Sequence, residues 1–335
     1  MNSFGRIFKL TIFGESHGEF IGINIDGVKP GLDLSAKDFK QDLALRRPRE
    51  KWTTKRKEED EVNIISGLFN GKTTGAPLTL LIKNSDVNSQ FYEENKFNPR
   101  PSHADFVAKI KYKGYNDYRG GGIFSGRLTA ALVVAGTIAK KIIRNIFPRI
   151  LIKSEVIEVA GFPYPSEDAL LALKQAYDEQ DSLGGIVKTE IKNCPAGLGE
   201  PFFDSFESNL SHLLFSIPGL KAVSFGSGIE SSKMKGSIFN DIYINKDGKT
   251  LTNNTGGING GITNGNEIFF TSYFRPASSI KKSQQTINIK TNEKVEISFN
   301  GRYDICYVLR TPIIVQAVTS IVLLDFIYIN NSFLY

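Results

Sequence analysis

The alternation of apolar and polar positions predicts strands in the first quarter of the chain. RIFKLTIF alternates well enough for a strand, and in EFIGINIDG the residues Ile21, Ile23 and Ile25 recur with a period of two. FGESHG separates these two runs, so a strand, a turn and a second strand are predicted. VNIISG and APLTLLIKN predict two further short strands.

Two runs in the first half predict helices. In LSAKDFKQDLALRR, Ser35 precedes Asp38 by three residues, which is the spacing of a capping box, and the helix would end at Arg46 and Arg47. GRLTAALVVAGTIAKKIIRNI, from about 126 to 146, is too apolar on all sides for a surface helix and predicts a buried one.

The second half repeats this scheme loosely. RILIKSEVIEVAGF, GGIVKTEIK, EIFFTSYF, TINIK and EKVEISFN predict strands, and SEDALLALKQAYDEQ and ESNLSHLLFS predict helices. TPIIVQAVTSIVLLDFIYI is interrupted by polar residues such as Gln316 and Asp325, which favours a buried helix over a membrane span. Strands and helices mix without strict βαβ alternation, which predicts an α+β fold. We expect a single domain over 1–335 with two similar halves that meet near residue 150.

The positive charge of the chain is local. RRPREKWTTKRK, between Arg46 and Lys57, holds seven basic residues and one acid, so its net charge equals the +6 of the whole chain. A single basic segment favours one anionic ligand over the extended face of a nucleic-acid binder. A solvated loop without a partner and an RNA-binding module, suggested by the sequence pI near 9.0 and by Trp52, remain as alternatives.

The two cysteines indicate a reducing compartment. Cys194 and Cys306 have no metal-ligand spacing, and MNSFGRIFKL lacks the apolar segment of a secretory signal. We therefore expect a cytoplasmic protein that binds neither metal nor membrane.

FGESHG contains the G-x-S-x-G pattern of a serine hydrolase at Gly14–Gly18. A nucleophile elbow requires a helix after the serine, whereas a strand is predicted here, so the context argues against Ser16 as a nucleophile. Nucleotide motifs also fail: GLFNGKT is one residue too short for a P-loop, and no G-x-G-x-x-G precedes a helix.

Two of the three histidines are candidates for chemistry. His17 at a hairpin turn and His103 in NPRPSHADF lie at loop ends, where side chains can face a ligand, whereas His212 lies in an amphipathic helix and is interpreted as a structural or surface residue. Three consecutive glycines in YRGGGIFSGR indicate a close backbone approach, and Ser125 and Arg127 after them stand where a helix N-terminus favours an anion.

Further arginines stand in FRPASS, beside two hydroxyls that suit a phosphate, and in GRYDICYVLR, which also holds Asp304. This inventory indicates a polyanionic substrate, a phosphorylated cofactor and proton transfers.

The same stretches, in this order, resemble the chorismate synthase family. They are FGESHG, RRPR with TTKRK, RPSHAD, DYRGGGIFSGRLTA, IPGLKAVSFG, TNNTGGINGGITNG, FRPASS and GRYDICYVLRTP, and the similarity covers nearly the whole chain. It implies conversion of 5-enolpyruvylshikimate 3-phosphate to chorismate by an anti-1,4 elimination of phosphate, which requires reduced FMN without net redox change. It also implies a β-α-β sandwich, with long helices between antiparallel sheets, and a homotetramer.

The resemblance also implies site residues by position. His17 would donate a proton near the leaving phosphate, His103 would lie beside the flavin, and Asp304 would help to remove the proton. The substrate anions would be held by Arg46, Arg100, Arg127 and Arg302. FMN contacts would come from Ser125, Pro218, Gly219, Gly260, Arg275, Pro276, Ala277, Ser278, Ser279 and Arg302. NADPH, where it serves as reductant, would contact Arg46 and Lys51.

The chain departs from the family pattern at five positions. Leu45 stands where the family has the first of three arginines, Arg49 replaces a glycine, Tyr303 a histidine, Ile305 a proline and Arg275 a lysine. These changes leave His17, His103 and Asp304 in place, but they keep an inactive family member as an alternative.

Overall fold

A computed structural model of the chain describes residues 2–48, 51–54, 59–301 and 303–333. The strands are β1 (Ser3–Phe4), β2 (Lys9–Gly14), β3 (Phe20–Asp26), β4 (Val62–Ser66), β5 (Leu68–Phe69), β6 (Lys72–Thr73), β7 (Leu78–Lys83), β8 (Leu151–Val159), β9 (Phe162–Pro163), β10 (Gly185–Lys192), β11 (Leu220–Phe225), β12 (Ile258–Asn259), β13 (Ile262–Thr263), β14 (Ile268–Phe274), β15 (Gln284–Asn288) and β16 (Glu293–Ile297). The helices are α1 (Lys40–Arg46), α2 (Gln90–Glu94), α3 (Asp105–Lys111), α4 (Thr129–Ile146), α5 (Glu167–Asp178), α6 (Phe206–Leu214), α7 (Gly236–Phe239) and α8 (Pro312–Phe333).

The first sheet is antiparallel and has the strand order β1-β2-β3-β7-β4. The period of two in β3 puts Ile21, Ile23 and Ile25 on its buried face, where each is at most 1% exposed. FGESHG forms the connection between β2 and β3, so the predicted strand, turn and strand are confirmed.

The second sheet comes from the other half of the chain and is also antiparallel, with the order β11-β14-β10-β8-β9. Its strands β8, β10 and β14 match predicted runs. By contrast, the sequence pattern did not predict β11 as a strand. Its partner β14 alternates buried and half-buried residues along its whole length, whereas β11 has no such pattern, with Leu220 alone buried.

The two long apolar helices lie between the sheets. α4 packs against β3, α8 packs against β8 and β10, and the two helices contact each other. Within α8, Pro312–Asn331 has a mean hydropathy of 2.0, which is apolar enough for a membrane span, but 83% of its most apolar window is buried inside the protein. The predicted α+β fold, a β-α-β sandwich with long helices between antiparallel sheets, is therefore confirmed.

The start of each predicted helix in the first half differs slightly from the sequence pattern. Ser35 and Asp38 form the predicted capping box, but a 3-10 turn, Ala36–Phe39, precedes α1. Likewise, a 3-10 turn at Gly126–Leu128 comes before α4. Tight first turns of this kind are common at helix N-termini.

Asp325 joins the last helix to the first strands. This residue of α8 is 7% exposed, and its carboxylate accepts hydrogen bonds from the backbone N–H groups of Arg6, Ile7 and Phe8 at 2.8–2.9 Å. Asp325, one of the polar residues that favoured a buried helix over a membrane span, therefore fixes the loop that leads into β2.

Candidate active site

A cavity of about 300 Å³ opens where loops from both halves of the chain meet the N-terminal end of α4. This volume lies in the range of small-molecule sites. Thirteen of the residues predicted from the sequence line it: His17, Arg46, Arg100, His103, Ser125, Arg127, Pro218, Gly219, Arg275, Ala277, Ser278, Ser279 and Asp304.

Three predicted residues that the structure describes, Lys51, Gly260 and Pro276, do not lie in this wall. Gly260 occupies the turn between β12 and β13, where its φ of +60° accounts for the glycine, and Lys51 places its ammonium 4.8 Å from the ring centre of Trp52. Pro276 follows Arg275, and its carbonyl accepts a hydrogen bond from that guanidinium. Arg302 lies outside the described residues.

The three glycines at Gly120–Gly122 pack directly between the two candidate histidines. All three have positive φ, and a Cβ atom on Gly120 would lie 2.3 Å from the His17 ring, while one on Gly121 would lie 3.1 Å from the His103 ring. The expected close approach therefore exists, but the approaching groups are two imidazoles of the same chain. Because no larger residue fits, this turn fixes the spacing of the two rings.

His17 is held from the side opposite this turn. Its Nδ1 lies 2.9 Å from Ser89 Oγ, and the Tyr92 ring meets it edge-on with ring centres 5.2 Å apart. Ser16 before it is buried and is followed by β3 instead of a helix, so the nucleophile elbow of a serine hydrolase is not formed.

His103 belongs to a network with Arg100 and Asp105. Asp105 Oδ1 lies 2.6 Å from His103 Nδ1, and the same carboxylate accepts from Arg100 Nε and Nη2, both at 2.8 Å. Arg100 Nη1 also donates to Ser279 Oγ at 2.9 Å. One carboxylate thus orients both a predicted catalytic histidine and a predicted substrate arginine.

The two ionisable partners in this network respond differently to burial. Burial lowers the pKa of His103, and this effect outweighs the hydrogen bond that His103 donates to Asp105, which raises it. Burial would raise the pKa of Asp105, but the hydrogen bonds from Arg100 and His103 hold it well below its usual range. Asp105 is therefore ionised. Its Oδ1 lies closer to His103 Nδ1, at 2.6 Å, than Arg100 Nη2 does, at 3.0 Å, which favours a proton on Nδ1 and leaves Nε2 facing away from the carboxylate.

Asp60, which was not predicted from the sequence, joins two more of the predicted arginines. It is 6% exposed, and its carboxylate accepts from Arg46 Nη1 at 3.2 Å and from Arg127 Nη1. Arg127 also donates from Nε to Asn84 Oδ1 at 2.9 Å and from Nη2 to a backbone carbonyl. An acidic residue after a basic run is common, so the local sequence carried no signal for this role.

Asp304 is paired with Arg310. The guanidinium donates to both carboxylate oxygens at 2.8 and 3.2 Å, and the backbone N–H of Thr54 donates at 2.9 Å. Burial would raise the pKa of Asp304, but Arg310 and Thr54 hold it below its usual value. The carboxylate is therefore ionised before any ligand binds, and the basic segment is attached to it at Thr54.

Among the described residues, the departures from the family pattern remove no positive charge from the cavity wall. Leu45 is 42% exposed and does not line the cavity, and Ile305 is buried in the hydrophobic core. Tyr303 is part of the cavity wall, and Arg275 supplies the positive charge of the lysine that it replaces. Arg49 lies outside the described residues.

The cavity carries a surplus of positive charge. Six described guanidinium groups line it, from Arg46, Arg47, Arg100, Arg127, Arg275 and Arg310. They face the two lining carboxylates, Asp60 and Asp304, and Asp105 behind the wall. Such a cavity suits a ligand with about three negative charges, because each surplus guanidinium can bind a carboxylate or phosphate.

Comparison with known proteins agrees with this geometry. A family model described as chorismate synthase matches residues 8–328, and a chorismate synthase of Chitinophaga pinensis is 50% identical over 331 residues, covering 99% of this chain and 98% of the relative. The chain belongs to the chorismate synthase family. A relative of the same name from Korarchaeum cryptofilum is 41% identical over 350 residues, with 97% of this chain and 96% of the relative covered.

The fold agrees as well. A crystal structure of a chorismate synthase superposes with a TM-score of 0.74 at 23% identity, covering 98% of this chain and 93% of that one. The resemblance drawn from the motifs is thus confirmed. The activity is that of the family, elimination of phosphate from 5-enolpyruvylshikimate 3-phosphate to give chorismate, which makes the chain a carbon–oxygen lyase of aromatic amino acid biosynthesis.

Proposed function

We propose that the cavity binds reduced FMN together with 5-enolpyruvylshikimate 3-phosphate, that NADPH serves as a source of electrons for the flavin, and that His17, His103 and Asp304 act in the elimination. The observation that carries this proposal is the convergence of two imidazoles and six guanidinium groups on one cavity. Reduced flavin, when bound, supplies electron density while phosphate leaves and recovers it as the ring hydrogen departs.

The residues present fit such a flavin. Arg275 with Ser278 and Ser279 offers a guanidinium and hydroxyls that suit a flavin phosphate, and Ser125 and Gly219 border the same cavity. Aromatic side chains in the wall, such as Tyr307, supply flat apolar surface for a ring system. The roles assigned to Gly260, Pro276 and Lys51 away from this wall, and to Arg302, remain predictions.

The arginines would bind and orient the substrate anions. Arg100 is 7% exposed at the cavity wall and is already oriented by Asp105, so its guanidinium is fixed before the substrate arrives. Arg46 and Arg127 are held in the same way by Asp60. Their positive charge stabilises the phosphate as its negative charge grows during departure.

His17 would protonate the leaving phosphate. His17 Nδ1 lies against Ser89 Oγ, and the proton of the other ring nitrogen would pass to the phosphate oxygen as that oxygen takes the electron pair of the breaking C–O bond. His103, with its proton on Nδ1, presents the lone pair of Nε2 and can take up a proton. Asp304 keeps a negative charge near the position where the proton is lost.

An anaerobic assay tests this proposal. Protein, dithionite-reduced FMN and 5-enolpyruvylshikimate 3-phosphate are mixed without oxygen, and phosphate and chorismate are measured. We expect turnover by the wild type and a loss of about 100-fold or more in His17→Ala and in His103→Ala, as for other proton-transfer groups. His212→Ala is the matched control, because His212 lies on α6 against Phe4, outside the cavity wall, and should keep full activity. No phosphate release by the wild type would contradict the proposal.

We also propose a cytoplasmic homotetramer. Exposed apolar side chains concentrate between Gly228 and Thr252, where Ile229, Ile238, Ile242, Tyr243, Ile244 and Leu251 are each 60–71% exposed. Apolar side chains clustered in this way favour association with another protein surface. Copies of this chain are the partners that the resemblance implies.

A further inference from the structure

Arg47 is the exception among the arginines of the cavity. Its side chain lines the cavity, and its Nε is buried, yet no hydrogen bond from its guanidinium reaches any residue within 2–48, 51–54, 59–301 or 303–333. A buried charged donor without a partner is unfavourable, so its presence requires an explanation, and binding of an anionic ligand is one that fits a side chain lining this cavity.

Its neighbour shows the contrast. Arg46 donates to Thr129 Oγ1 and Asp60 Oδ2 and, through Nη2, to the carbonyls of Gly126 and Arg127, all at 3.1–3.2 Å. Arg100, Arg127 and Arg310 likewise donate to Asp105, Asp60 and Asp304. Arg275 donates to the carbonyl of Pro276. These five guanidinium groups have protein acceptors, and Arg47 has none among the described residues.

The backbone explains how two adjacent arginines come to differ. α1 ends at Arg46, and Arg47 leaves the helix with φ −65° and ψ 151°, an extended conformation that the following Pro48 favours. Its backbone N–H still bonds to Leu43 O at 3.2 Å, so the position of the residue is fixed while its side chain turns into the cavity. The helix therefore supplies one arginine to the protein framework and presents the next one to a ligand.

We propose that Arg47 binds an anionic group of the substrate and contributes to substrate affinity, a role that rests on the proposed function. The ligand chemistry is a carboxylate or phosphate oxygen, because a guanidinium pairs with either through two parallel hydrogen bonds. Arg46 and Arg127 are paired with Asp60, and Arg100 is paired with Asp105, whereas no carboxylate among the described residues neutralises the charge of Arg47.

The test compares Arg47→Gln and Arg47→Lys with wild type in the anaerobic assay. We expect Arg47→Gln to raise KM for 5-enolpyruvylshikimate 3-phosphate about 10- to 100-fold, as for a lost hydrogen bond to a charged group, with kcat changed by only a few fold. Arg47→Lys should recover part of the affinity, because lysine keeps the positive charge but lacks the planar guanidinium that forms two parallel hydrogen bonds. Arg149→Gln, an exposed arginine far along the chain, makes the same change of charge and should behave as wild type.

Shikimate 3-phosphate, which lacks the enolpyruvyl carboxylate, identifies the group that Arg47 binds. Its affinity is measured by calorimetry. If Arg47→Gln weakens both ligands, Arg47 binds the phosphate or the ring carboxylate; if it weakens only the full substrate, Arg47 binds the enolpyruvyl carboxylate. Either result supports the proposal.

Thermal unfolding without ligand separates this role from a structural one. Since Arg47 has no protein acceptor among the described residues, Arg47→Gln should leave Tm unchanged or raise it. A KM and a shikimate 3-phosphate affinity within twofold of wild type, or a fall in Tm as large as that of Asp60→Asn, would overturn the proposal. If the wild type itself releases no phosphate but binds shikimate 3-phosphate through Arg47, the proposed function fails and this inference stands.

Discussion

Three aspartates, Asp60, Asp105 and Asp304, arrange the cationic groups of the cavity. Each is ion-paired with at least one arginine, and Asp105 also holds a histidine. Because these pairs exist before a ligand binds, the guanidinium groups are already oriented when the substrate enters. The carboxylates also reduce the repulsion between neighbouring arginines.

Asp105→Asn tests this arrangement at His103. The hydrogen bond and the charge of Asp105 both raise the pKa of His103, so without them the pKa should fall further below its ordinary value of 6.5. The imidazole then accepts a proton less readily, and we expect kcat to fall about 10- to 100-fold, within the range for general acid–base groups. The acidic limb of the pH–rate profile should move to lower pH.

Histidine NMR checks this change directly. The chain has three histidines, so three sets of imidazole signals are expected, and the set that is missing from His103→Ala belongs to His103. A His103 signal that titrates at the same or a higher pH in Asp105→Asn than in wild type would contradict the assigned role.

The sequence predicted which residues carry the chemistry of the site better than it predicted how these residues pair with one another. His17, His103 and most of the arginines were found because they stand in unusual glycine- and proline-rich stretches and in motifs that resemble one family. The role of Asp60 could not be predicted in this way, because Asp60 lies 14 residues from Arg46 and 67 from Arg127, and their contact depends on the tertiary fold. The lack of an acceptor for Arg47 among the described residues depends on the tertiary fold in the same way.

Among the secondary-structure elements, α4 and α8 are in close contact at one glycine. Gly136 of α4 lies against Ala317 of α8, and a Cβ atom added to the glycine would lie 2.3 Å from Cβ and 2.4 Å from Cα of that alanine. The absence of a side chain at residue 136 therefore allows the two helices to touch through their backbones.

Gly136→Ala should destabilise the protein despite the better helix propensity of alanine. That propensity favours alanine by about 1 kcal/mol, whereas overpacking of a tight core costs about 1–3 kcal/mol, and the clash involves backbone that cannot rotate away. We expect a lower midpoint in urea unfolding. Gly236→Ala on α7, where an added Cβ meets nothing within 4 Å, is the matched control and should not lower the midpoint. Equal midpoints for both variants would show that the contact between α4 and α8 does not require a glycine at residue 136.

The elements predicted correctly are those whose own sequence carries a strong pattern. The buried helices are continuous apolar runs, and β3 and β14 alternate regularly. The order of the strands and the sheet on which each long helix packs depend on contacts between distant parts of the chain, and periodicity contains no information about them. The resemblance supplied this part of the prediction.

At the scale of the whole molecule, the exposed apolar side chains between Gly228 and Thr252 predict self-association. Ile242→Glu, at a residue 62% exposed, should reduce the tetramer population in sedimentation analysis, because a charge would have to be buried at the interface. Leu171→Glu, at a residue 53% exposed on α5, makes a similar change outside this segment and should leave the association state unchanged. A monomeric wild type, or equal effects of both variants, would contradict the prediction that this surface mediates self-association.

The anchoring of Arg6, Ile7 and Phe8 by Asp325 has a consequence for biosynthesis. These contacts join residues that are 317 to 319 positions apart, so the segment around residues 6–8 leaves the ribosome well before Asp325, which supplies its hydrogen-bond acceptor, has been synthesised. Until then, the backbone amides of this segment and the apolar surface around them lack their native partners. Incompletely folded chains with such exposed groups are prone to aggregate. Termination of synthesis ahead of α8 would thus leave the backbone amides of residues 6–8 without this acceptor.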